Sequence, residues 1–105
     1  MKNAIKYIAE HYGYTSQSNQ LIEEMAELMV AINKERRFEA ESDNTVNDYL
    51  QAEFLKDNIS EEIADVEIML AQIKHLMNCE DKVEHIKNNK IIRQISRIEK
   101  ENKTI

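Results

Sequence analysis

The run Gln20-Leu21-Ile22-Glu23-Glu24-Met25-Ala26-Glu27-Leu28 has an echo further along the chain, Glu61-Glu62-Ile63-Ala64-Asp65-Val66. Both stretches carry acids three residues apart among apolar neighbours. That spacing belongs to one face of an α-helix rather than to a strand, whose side chains alternate. At about 100° per residue and with Leu21 at zero, Glu24 falls near 300°, between Ala31 at about 280° and Leu28 at about 340°. With Ile59 at zero, Glu62 also falls near 300°, between Met69 at about 280° and Ile73 at about 320°. Glu27 and Asp65 stand at the edges of the two arcs. The sequence thus predicts two helices that each place an i, i+3 carboxylate pair on an apolar stripe, with Glu24 and Glu62 the more buried members.

The rest of the chain agrees with an all-α fold. Among 105 residues there is no proline and one glycine, Gly13, so little interrupts helices and the turn chemistry of hairpin strands is missing. The length suits one domain, residues 1–105, and a chain this short gains much by self-association. A first helix is expected from about Lys2 to His11, ending at Gly13 in a left-handed C′ conformation. A second runs from about Gln17 to Phe38, behind the capping residues Thr15, Ser16 and Ser18. Residues Glu39 to Asn44 read as a loop. Thr45-Val46-Asn47-Asp48 opens a short helix to about Lys56, and the capping pattern Asn58 to Glu61 opens another to about Met77. A last helix ends near Asn102, with Val83, Ile86, Ile91, Ile92, Ile95 and Ile98 as a partial apolar stripe.

Composition excludes several functions. A single cysteine, Cys79, rules out an internal disulfide, and it reads as a small packed group at a helix junction. No window reaches the roughly 18 apolar residues of a membrane span, and the start lacks a signal-like apolar run. A cytoplasmic protein that binds neither membrane nor nucleic acid is expected. The formal charge of −6 supports the latter. It is unevenly spread: residues 82–103 hold seven Lys/Arg against three Glu, a net +4, which leaves −10 for the remainder.

Ionised acids within an apolar stripe are costly unless paired or bound to metal. Four facing one another repel, and a hard divalent cation answers both problems with oxygen ligands. Mg²⁺ fits, with Mn²⁺ as a substitute; Zn²⁺ is disfavoured because neither Cys nor His stands in the motif. Against this stands the ordinary preference of Glu23, Glu24, Glu61 and Glu62 for helix N-termini, which accounts better for the second pair than for the first.

At these residues the sequence resembles the MazG-like all-α nucleoside triphosphate pyrophosphohydrolases, whose mark is E-x-x-E on one helix and E-x-x-D on the next. Here the motif reads Glu24-Met25-Ala26-Glu27 and Glu62-Ile63-Ala64-Asp65, and the resemblance covers about residues 12–98. It implies a bundle of four to five helices, assembled as a homodimer or homotetramer. It also implies hydrolysis between the α- and β-phosphates of a nucleoside triphosphate, giving the monophosphate and pyrophosphate. Glu24, Glu27, Glu62 and Asp65 are then the catalytic metal ligands, and one of them orients the attacking water. Glu23 and Glu61 are lesser candidates. Lys87, Lys90 and Arg93, continued by Arg97, would meet phosphates, and Gln17 and Gln20, with Tyr12 and Tyr14, would line a base pocket. Tyr49 and Phe54 would stack on a base or close over it. Two departures stand out: Asn19 and Gln20 precede the first acids where the family often has lysine, and the gap from Glu27 to Glu62 is long. The second makes residues 39–58 look like an enlarged connection. A phosphoribosyl-ATP pyrophosphohydrolase or dUTPase-like enzyme on the same scaffold, and a non-catalytic metal- or nucleotide-binding oligomer, stay open.

Two further readings complete the expectations. His11, His75 and His85 are surface or packing residues, none of them three residues after a glutamate as a di-iron bundle requires. Met25, Met29, Met69 and Met77 read as core.

Overall fold

The computed structural model describes residues 1–43 and 45–103, and all of their regular structure is helical. The order is α1 (Lys2–Glu41), α2 (Val46–Leu76) and α3 (Glu80–Lys103). Helices α1 and α2 form a long antiparallel hairpin, and α3 touches α2 alone. The four to five helices expected from the sequence become three, because two expected breaks fall inside continuous helices.

The first is Gly13, which takes φ 84° and ψ 170° and bends α1 without ending it. Its φ is positive, as expected, but its ψ lies far from the left-handed helical value; this region is open essentially to glycine alone. The second is the Asn58 to Glu61 capping pattern, which lies in the interior of α2. A cap is worth about 1 kcal/mol, and burial of Leu55 and Val66 on either side outweighs it. Ser60 instead donates its hydroxyl to the Lys56 carbonyl one turn back, at 2.9 Å.

The same continuity corrects the enlarged connection. Helix α1 runs on to Glu41 and α2 begins at Val46, so the expected loop shrinks to residues 42–45. Of the residues read as that loop, Asn44 lies outside the described ones. Thr45 caps α2 as expected, accepting from the Asp48 amide at 3.2 Å. Asp48 in turn accepts from the Asp43 amide at 2.6 Å and the Ser42 hydroxyl at 3.1 Å. The extra residues lengthen the hairpin instead of looping out.

At the other end, the Cys79 amide donates to the Lys74 carbonyl and the Asn78 amide to the His75 carbonyl. Asn78 has φ 51°. This is a Schellman turn with asparagine in the left-handed position, and it fixes the direction in which α3 departs. Cys79 sits half-buried in that turn.

The core is a single seam between α1 and α2. Its buried apolar residues are Ala9, Ala31, Leu55, Val66 and Met69, joined by the buried amides Gln17 and Gln72. Met69 meets its expected core role. Met25, Met29 and Met77 do not: they are 40%, 64% and 58% exposed, because two helices bury one stripe each and no more.

Candidate metal centre

The hairpin brings the two acidic motifs to one level. Between Glu27 and the end of α1 lie 14 residues, and between the start of α2 and Glu62 lie 16. At about 1.5 Å per residue these arms are nearly equal, so Glu27 comes level with Glu62 and Glu24 with Asp65. The long gap in the sequence is therefore the length that an antiparallel hairpin of this height requires.

Glu24, Glu62 and Asp65 each offer a carboxylate oxygen within 4.8 Å of the others. Glu24 and Glu62 are half-buried, while Asp65 and Glu27 are exposed, as the helical projection predicts. Gln20 donates its amide to Oε1 of Glu24 at 2.8 Å and orients it. The remaining oxygens, Oε2 of Glu24 and Oε2 of Glu62, are shut off from solvent without a hydrogen-bond partner. A buried acceptor left unmade costs about 1–3 kcal/mol, and more when charged. Two such atoms in one trio are what a cation repairs.

Glu27 stands beside the trio. The Glu24 charge, and after it the Glu62 charge, push its carboxyl above the usual value of 4.5. Its protonated form also gains hydrogen bonds with both neighbours, bonds that three ionised carboxylates have no proton to make.

The donor set suits a hard divalent ion. All the available atoms are carboxylate oxygens, and neither histidine nor cysteine enters the trio. Opposite ligands on Mg²⁺ lie about 4.2 Å apart and on Ca²⁺ about 5 Å apart, so the trio is of the right size.

A groove of about 310 Å³ opens next to the acids, lined by Ala26, Glu27, Val30, Ala31, Lys34, Asn58 and Glu62. Lys34 is the cation of this groove, and neither it nor Asn58 stands out from the sequence as a site residue. The available signal was periodicity: Lys34 follows Glu27 by seven residues and so shares its flank of α1.

The other expected site residues lie elsewhere. Gln17 is buried and donates to Oε1 of Gln72 at 2.7 Å, which commits its amide to the seam. Lys87, Lys90, Arg93 and Arg97 are exposed on α3, which makes no contact with α1. Lys87 lies 3.7 Å from Glu84 on the same helix. Tyr12, Tyr14, Tyr49 and Phe54 are exposed, as are Glu23 and Glu61. His75 meets Glu10 at 2.9 Å, His85 meets Asn89 at 3.2 Å, and His11 packs edge-on against Tyr12. No described helix is long and apolar enough to cross a membrane.

Comparison with known proteins finds no family model, no curated protein and no solved structure that matches this chain.

Proposed function

We propose that this chain hydrolyses a nucleoside triphosphate to the monophosphate and pyrophosphate, with Mg²⁺ as cofactor and Mn²⁺ as a substitute. The observation that supports the reading is the trio Glu24, Glu62 and Asp65, with two buried carboxylate oxygens left unpartnered at its centre. The step from metal to pyrophosphate chemistry comes from the resemblance of the E-x-x-E and E-x-x-D motifs to MazG-like enzymes.

In this reading Glu24, Glu62 and Asp65 hold the cation, and Gln20 keeps Glu24 in position. The cation would neutralise charge on the phosphate oxygens as the α–β bridge breaks. Glu27, next to the trio but open to solvent, orients the attacking water and takes its proton. Lys34, from the same flank of α1, meets a phosphate in the groove. Asn58 donates to the substrate from the other wall.

The test is pyrophosphate release by purified protein and Mg²⁺ from a panel of canonical and modified triphosphates, with dUTP and phosphoribosyl-ATP included. Release from at least one substrate, abolished in Glu24→Gln and Glu62→Gln, is expected. A folded, metal-loaded protein that releases none would sink the enzyme reading and leave a metal-binding module.

A further inference from the structure

We infer that two copies of this chain pack face to face through one side of the α1–α2 hairpin, forming a four-helix core that leaves both carboxylate sites facing outward.

The first support is the surface that a single copy leaves open. Its accessible area is 8619 Å², whereas a compact protein of 12.4 kDa exposes about 6,100 Å². The excess, about 2,500 Å², equals what one partner buries in a large obligate interface. The radius of gyration agrees: 18.5 Å, against about 13 Å for a compact chain of this length. Five buried apolar residues do not hold 40- and 31-residue helices together alone.

The second support is where the apolar surface lies. On α1, Ile22, Met25, Met29 and Ile32 recur at steps of three, four and three residues, and they are 62%, 40%, 64% and 39% exposed. That is the spacing of a helix-packing seam. Relative to the buried line of Gln17 and Ala31, these four sit about 120° around α1, in the direction of increasing residue number. On α2, Ile63 and Leu70, each 42% exposed, sit about 80–100° around from Glu62 and Met69 in the same sense. In an antiparallel pair, equal rotations from the seam lead to the same side. The six residues therefore make one broad apolar face. Glu23, Glu27, Lys34, Glu61 and Asp65 rotate the opposite way and share the other side.

A second copy is the occupant that this face fits. The stripe is long, straight and lined by flexible methionines, so its complement is another helix pair of the same kind. A partner of opposite charge would instead be drawn to the acidic side. Intramolecular cover by α3 is ruled out by the Schellman turn at Asn78, which sends that helix away from α1. The inference stands on packing alone and is independent of the proposed pyrophosphohydrolase chemistry.

Two measurements test it. Sedimentation equilibrium on the full chain should give twice the protomer mass or a multiple of it. Met29→Lys should dissociate the assembly, and Ile68→Lys, on the acidic side, should leave its mass unchanged. Because Met29→Lys is expected to lose helix as it dissociates, a second readout keeps folded protein in view. In a Cys79→Ser background, Met29→Cys and Ile68→Cys are labelled with a maleimide. Within one copy position 29 is the more exposed, 64% against 45%. Face-to-face packing predicts that labelling is lost at position 29 and retained at 68. A monomeric wild type, or labelling that is faster at position 29, overturns the inference.

Discussion

Gln17 and Gln72 are joined across the hairpin by a buried 2.7 Å amide hydrogen bond, two turns from the carboxylates. Ser16 donates to the Gln17 carbonyl oxygen at 3.1 Å, and the Gln72 amide reaches the Met69 sulfur at 3.5 Å. An apolar seam permits helices to slide by a turn; a satisfied amide pair inside it permits one register. That register sets Glu24 level with Asp65.

Removing one amide strands the other. Gln72→Ala should cost about 1–3 kcal/mol, or a fall in Tm of about 4–8 °C per kcal/mol. The double substitution Gln17→Leu and Gln72→Leu should recover most of that loss, because both partners leave together. Its metal affinity should nevertheless fall, since nothing polar then fixes the register. Thermal melts and a cation titration on the two variants check this. A double variant with wild-type cation affinity would remove the registering role.

The carboxylates themselves oppose folding when no cation is bound. Glu27 has a raised proton affinity in the folded state, so the fold binds more protons than the unfolded chain above pH 4.5. Its contribution is thus fully present below that value and is lost as pH rises through the folded pKa. Melts in chelator should show Tm falling over the window immediately above pH 4.5, and Glu27→Gln should flatten that fall. An unchanged slope in the variant would contradict the repulsion from Glu24 and Glu62.

Gly13 offers a backbone test. A Cβ added there would meet nothing within 4 Å, so packing does not forbid a side chain. The conformation does: φ 84° with ψ 170° is strained for any L-residue by about 1–3 kcal/mol. Gly13→Ala should therefore lower Tm despite the higher helix propensity of alanine. A neutral or raised Tm would mean that α1 straightens at no cost.

Catalysis separates the acids by role. Glu27→Gln should retain cation binding while losing turnover, whereas Glu62→Gln should lose both. Parallel measurements of Mn²⁺ affinity and pyrophosphate release decide it. Equal loss of affinity in the two variants would make Glu27 a ligand and remove it as the base.

Helical periodicity made the site legible before its surroundings. Projection placed Glu24 and Glu62 inside apolar arcs and Glu27 and Asp65 at the edges, and the burial of the four follows that order. It worked because side-chain direction in a helix depends on residue number alone. Capping patterns were less reliable guides. Thr45 does cap α2, but Asn58 lies inside it, since a local pattern worth about 1 kcal/mol yields to burial of Leu55 and Val66. Reading residues 39–58 as a connection followed from that false start. Lys34 went unmarked because the search for phosphate-binding cations settled on the basic run of α3. Met25 and Met29 were assigned to the core because apolar periodicity marks a face that is buried without saying by which chain.

The most direct measurement is calorimetric titration of Mn²⁺ or Mg²⁺ into chelator-treated protein, wild type beside Glu24→Gln and Glu62→Gln. Carboxylate oxygens buried without partners predict saturable binding in the wild type, an accompanying rise in Tm, and loss of both in each variant. At a hundredfold excess over Kd the stabilisation should reach about 2.7 kcal/mol. Absence of binding in the wild type, or undiminished binding in both variants, would contradict the metal site and the chemistry built on it.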